Sequence, residues 1–63
     1  MNPIELLTTA EAAARLRIPP QTLNIWRCKG TGPAFCKIGR TVRYITEALQ
    51  EYLIQNTCRH TGG

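Results

Sequence analysis

The apolar positions change period along the chain, and the changes divide it into elements. Ala12, Ala13 and Leu16 recur at i, i+1 and i+4, a narrow face of small residues that lets a second helix approach closely. Thr8-Thr9-Ala10-Glu11 precedes that face with the spacing of a capping box, in which the Thr8 hydroxyl accepts from the N–H three residues on and Glu11 reaches back. A helix is expected from here through Leu16. Pro20 disfavours helical geometry at Pro19, and Pro19 does the same to Ile18, so this helix must end by Arg17. A second helix is expected to start at Pro20, whose missing N–H would be unpaired there anyway, and to stop at Gly30, which supplies a left-handed closing residue. At about 100° per residue, Leu23 and Trp26 fall on one side and Gln21, Asn24, Ile25 and Cys28 on the other, with Thr22 on a flank. One side packs and the other faces out.

After the turn-rich stretch from Lys29 to Pro33 the period falls from 3.6 to 2. Ala34 to Ile38 and Val42 to Ile45 read as two strands around a Gly39-Arg40-Thr41 loop. That loop pairs Ile38 with Val42 and Cys36 with Tyr44 on one face and sets Lys37 against Arg43 on the other. Like charges across a ladder are mildly destabilising, and a phosphate backbone would offset them. Thr46 is expected to cap a final helix, Glu47 to Gln55, whose Leu49, Tyr52 and Leu53 belong to the core. Leu6 and Leu7 of the lead-in pack onto this domain, which spans residues 1–55, and residues 56–63 read as a flexible tail. The first two helices, joined by about three residues with Ile18 in the turn, match a helix-turn-helix unit. An αα-hairpin with no nucleic-acid role has the same pattern.

Composition narrows the choice. Sixty-three residues make one domain, near the lower limit for an unstapled core, and leave little room for a deep catalytic cleft. No apolar run approaches the ~20 residues that cross a bilayer. Met1 to Leu7 has an acidic flank and no h-region after it, so a cytoplasmic chain with no membrane partner is expected. The formal net charge is +4, and its distribution says more than its size. Arg15, Arg17, Arg27, Lys29, Lys37, Arg40 and Arg43 all lie between positions 12 and 46, an interval with no Asp or Glu. Such a concentration of uncompensated cations suits a polyanion, although it would also serve as a solubilising surface. Cys28, Cys36, Cys58 and His60 raise the question of zinc, but Cys28 and Cys36 lack the close spacing of a ligand pair. No metal or other cofactor is expected. Nor is an enzyme: the one His lies in the tail, and no carboxylate shares the basic interval with Cys28 or Cys36.

Three stretches together resemble a known family: Leu7-Thr8-x-x-Glu11-Ala12-Ala13-x-x-Leu16; Thr22-Leu23-x-x-Trp26-Arg27-x-x-Gly30-x-Gly32-Pro33-x-Phe35; and Lys37-Ile38-Gly39-Arg40-x-Val42-Arg43-Tyr44. Over Leu7 to about Leu53 the chain is similar to the MerR-like winged helix-turn-helix proteins, which include phage and mobile-element excisionases and AlpA-type regulators. The resemblance implies a mostly α fold with a small β-hairpin: helix, turn, recognition helix, two-stranded wing and C-terminal helix. It also implies sequence-specific binding of double-stranded DNA, with the second helix in the major groove and the wing on the adjacent backbone or minor groove. Two positions depart from the family pattern. Pro19 stands where a small or polar cap is common and has no side-chain acceptor to offer, and Arg17 replaces a common Gly at the end of the first helix.

Base-edge recognition needs paired donors and acceptors, with apolar groups for thymine methyls. Gln21, Thr22, Asn24 and Ile25 are the candidates for it. Arg17, Arg27, Lys29, Lys37, Arg40, Thr41 and Arg43 are the candidates for backbone or minor-groove contact, with Arg40 at the wing tip foremost. Arg27 lies nearer the buried side, and its long stem is expected to carry the guanidinium past the core edge to a phosphate or an acidic neighbour. The resemblance implies an excisionase that binds and bends attachment-site DNA in a bacterial cell or phage-infected host. Its partners would be a site-specific recombinase (an integrase) and further copies of the chain on adjacent sites. A small AlpA-like transcriptional regulator and a protein-interaction module are the alternatives. With no long apolar heptad, a monomer is expected off DNA.

Overall fold

The computed structural model describes residues 4–57. Thr8 caps the first helix as its spacing dictates: its hydroxyl accepts from the Glu11 N–H at 3.1 Å, and the Glu11 carboxylate accepts from the Thr8 N–H at 2.9 Å. Two of the orphan donors at a helix start are thereby satisfied. Helix α1 (Thr9–Leu16) ends at Arg17, which adopts φ 59° and ψ 43°. The closing bonds run from Arg17 N–H to the Ala14 carbonyl at 3.2 Å and from Ile18 N–H to the Ala13 carbonyl at 3.0 Å. Helix α2 (Pro20–Lys29) follows after three residues, and its N-cap Pro19 makes no side-chain bond. The Pro19 carbonyl accepts from Thr22 N–H at 3.0 Å. Gly30, at φ 74°, closes α2 as expected.

The sheet has one strand more than the sequence reading gives. Leu6–Leu7 forms β1, Phe35–Ile38 forms β2 and Thr41–Ile45 forms β3, in the antiparallel order β1-β3-β2. Two residues are too short to display a period, so β1 carries no alternation signal of its own. Glu5 anchors it. One carboxylate oxygen accepts from the Thr46 hydroxyl at 3.0 Å, the other from Arg15 at 3.2 Å, and its carbonyl accepts from the Thr46 N–H at 3.3 Å.

The hairpin register corrects the expected one by a single residue. Phe35 pairs with Tyr44, Cys36 with Arg43, Lys37 with Val42 and Ile38 with Thr41. The turn therefore contains two residues, Gly39 and Arg40, and Thr41 belongs to β3 instead of the loop. Gly39 takes φ 62° while Arg40 does not have positive φ, the pattern of a type II′ turn, whose twist matches that of the flanking strands. Lys37 does not oppose Arg43, and the expected like-charge pair is absent.

Helix α3 (Thr46–Gln55) begins one residue before its expected start, with Ile45 at the N-cap position and no side-chain cap. Thr46 is thus not the cap. Its hydroxyl is committed to Glu5, whose two bonds to Thr46 tie the lead-in to this helix. At the far end, Asn56 Nδ2 donates to the Tyr52 carbonyl at 2.8 Å and the Thr57 hydroxyl donates to the Leu53 carbonyl at 2.6 Å. The rest of the expected tail, residues 58–63, lies outside the described residues.

Leu7, Ala12, Ala13, Leu23, Tyr44 and Leu49 form the buried core, with Leu16, Ile18, Trp26 and Val42 packed against it. Ala12 and Ala13 are fully enclosed, as a close helix contact requires. Leu53 is 49% exposed and Leu6 45%. Both corrections have a geometric origin: Leu6 lies on the sheet face away from Tyr44, and only the first part of α3 reaches the core, through Leu49. Trp26 stacks at a tilt on Tyr52, with ring centroids 5.8 Å apart. It also closes over Gly32, where an added Cβ would come within 2.9 Å of the indole.

Candidate nucleic-acid interface

Helix α2 separates its residues as the 3.6-residue period requires. Leu23 is fully buried and Trp26 partly so, which leaves Gln21, Asn24, Ile25 and Cys28 exposed on the other side and Thr22 at the edge. The outward face is polar except for Ile25, 46% exposed at its middle. Hydrogen bonds from the following turn hold the helix end: Thr31 donates to the Trp26 carbonyl through its N–H at 2.8 Å and its hydroxyl at 3.2 Å.

Arg27 links this face to the sheet. Its Nη1 donates to the Tyr44 hydroxyl at 3.0 Å, its Nη2 donates to Asn24 Oδ1 at 2.7 Å, and the guanidinium carbon lies 5.8 Å from the Phe35 ring centroid. Phe35 and Tyr44 are themselves a tilted aromatic pair at 6.0 Å. The stem passes the core edge as expected, but the groups at its end are a phenol, an amide and an aromatic ring; none is acidic. Tyr44 is 1% exposed, so Arg27 supplies the partner its buried hydroxyl needs. Sequence reading did not assign Phe35 and Tyr44 to the site. Their signal was available in a two-residue Gly-Arg turn, which sets the two rings directly across the ladder.

The other cations expected at DNA occupy three places among the described residues. Arg17 lies in the turn before α2, Lys29 at the end of α2, and Lys37, Arg40 and Arg43 on the hairpin, where Thr41 adds a hydroxyl. Arg17, Lys29, Lys37, Arg40 and Thr41 are exposed, while Arg43 is half-buried and donates to the Val42 carbonyl at 2.8 Å. Arg15 departs from the group by pairing with Glu5. The carboxylates lie on the lead-in, α1 and α3, and neither α2 nor the hairpin carries one. A surface without carboxylates leaves these cations free for anions.

Among the described residues, no group of three or more His, Cys, Asp or Glu stands together as a metal site. Cys28 and Cys36 are free thiols, and Cys58 and His60 lie outside the described residues. A cleft of about 540 Å³ opens between Pro33 and α3, with Glu47, Glu51 and Tyr52 on its walls and none of the basic residues. No helix among the described residues is long and apolar enough to cross a membrane.

Three helices with a tight turn between the first two, and a small antiparallel sheet whose hairpin contacts the second, define a winged helix-turn-helix domain. The family described as Helix-turn-helix domain matches residues 6–57, and the chain belongs to that family, which includes excisionase-like and AlpA-like small DNA-binding proteins. Membership implies binding of double-stranded DNA, in a family that is typically non-enzymatic. No curated protein matches the chain.

Proposed function

We propose that the chain is an excisionase, a recombination directionality factor that binds and bends attachment-site DNA to favour integrase-driven excision. The observation that carries the DNA reading is the pairing of an outward polar face on α2 with exposed cations in the turn before it, at its end and on the hairpin, and no carboxylate on α2 or the hairpin. Gln21, Thr22, Asn24 and Ile25 meet base edges in the major groove. Their amides and hydroxyl provide donors and acceptors, and Ile25 suits a thymine methyl. Arg17, Lys29, Lys37, Arg40, Thr41 and Arg43 meet the backbone or adjacent minor groove, which positions the helix without reading sequence. Arg27 steadies the assembly from behind. The recombination role rests on the MerR-like resemblance, and an AlpA-like regulator is the alternative from the same family.

A footprint across the DNA flanking the gene separates the two roles, followed by an excision reaction with an integrase encoded nearby. Protection of repeated sites in an attachment region, with excision dependent on the protein, is the expected result. Protection confined to a promoter, with excision unaffected, assigns the chain to transcriptional regulation. Failure to retard any duplex at low salt removes both readings.

A further inference from the structure

We infer that Arg27 is a positioning residue for base recognition, which holds Asn24 so that its side-chain NH2 group is offered to a hydrogen-bond acceptor on a base edge. The inference rests on the proposal that α2 reads DNA. Its basis is the 2.7 Å contact between Arg27 Nη2 and the Asn24 side chain. A guanidinium has only donors, so the atom it meets must be the amide oxygen. That fixes the direction of the amide, which a free surface asparagine would leave to rotate. Arg27 is itself held, by the Tyr44 hydroxyl at 3.0 Å and by the Phe35 ring. The chain of contacts therefore starts at a phenol in the core and ends at an exposed side chain on the outward face of α2.

The chemical consequence is a preference. One lone pair of Asn24 Oδ1 is occupied, and its Nδ2 has no hydrogen-bond partner among the described residues. The free donors suit major-groove acceptors: purine N7, guanine O6 or thymine O4. A bidentate adenine contact would need the same oxygen to turn from Arg27 or to share it. Asn24 should therefore select an acceptor at its base pair instead of adenine as such.

The first test needs no DNA. Side-chain NMR of the free protein is expected to show a restricted Asn24 NH2 group in the wild type and a mobile one in Arg27→Ala and Arg27→Lys, with α2 backbone signals retained. Lysine keeps the charge but lacks the planar fork that bridges Tyr44 and Asn24. An Asn24 amide as mobile in the wild type as in these variants would overturn the inference. The second test uses duplexes selected from a randomised pool. Asn24→Ala and Arg27→Ala should each lose about fivefold discrimination at the same base pair, the double variant should lose no more, and both should keep the wild-type salt slope. At an adenine there, 7-deazaadenine should reduce wild-type binding, while removal of the exocyclic amino group should not. The inference fails if Arg27→Ala weakens all sequences alike with a shallower salt slope, or if deleting the amino group costs as much as deleting N7. A wild type with an ordered Asn24 amide and no sequence preference would instead overturn the DNA-reading proposal beneath it.

Discussion

Arg17 holds φ 59°, and among the described residues no other non-glycine has a positive φ. A left-handed L-residue costs roughly 1–2 kcal/mol, which glycine largely avoids. The Pro19-Pro20 pair forces this position, because the chain must leave α1 within two residues of Leu16. Arg17→Gly is therefore expected to raise stability by up to ~1 kcal/mol in chemical denaturation. The same variant should bind DNA more weakly, because it removes an exposed cation beside α2. Gly32 illustrates a different constraint. It combines φ 86° with close contact to the indole of Trp26, so Gly32→Ala must displace a ring that packs on both the core and Tyr52. A loss of about 2 kcal/mol is expected from overpacking plus backbone strain, with quenching or a spectral shift of Trp26 fluorescence as its companion. The Pro19-Pro20 pair made the end of α1 at Arg17 legible in the sequence, and Gly30 the end of α2. The contact at Gly32 was not, since it depends on where the turn returns relative to Trp26.

Whole elements were legible where a local signal existed. The capping box, the Pro-Pro boundary and the Gly30 stop located α1 and α2, and the two-residue period located the hairpin. Three features escaped. β1 is two residues long and exists because β3 offers it an edge; the register depended on choosing a two-residue or a three-residue turn; and Thr46 was drawn from its expected cap by Glu5, which lies 41 positions earlier. For β1 and Thr46 a contact distant in sequence outweighed the local preference, and for the register the turn length decided. At the start of α2 the opposite holds, because Pro19 leaves a cap unfilled and nothing distant compensates. Pro19→Ser is expected to stabilise the domain by about 0.5–1 kcal/mol through a new bond to an orphan N–H of α2. Thermal or urea denaturation measures that gain, and an unchanged or lowered midpoint would show that the rigidity of Pro19 matters more than its missing acceptor.

On the scale of the whole molecule, the charge division seen in the sequence becomes a division of surfaces, with carboxylates on the lead-in, α1 and α3 and uncompensated cations around α2 and the hairpin. The outward face of α2 was legible from periodicity alone. What the sequence did not reveal was the use of Arg27, whose partners Tyr44 and Phe35 are brought to it by the hairpin register. If the hairpin tip tracks the backbone, Arg40→Ala should weaken binding to selected and unrelated duplexes alike and reduce the salt slope by about one unit, the signature of one lost phosphate contact. An effect restricted to the selected sequence would place Arg40 on a base edge instead.

Whether the carboxylate-free surface of α2 and the hairpin receives duplex DNA is read from the salt dependence of wild-type affinity for a selected duplex. Arg17, Lys29, Lys37, Arg40 and Arg43 predict that log K falls linearly with log salt, with a slope of roughly −3 to −5. A slope near zero, or no binding at low salt, would contradict it.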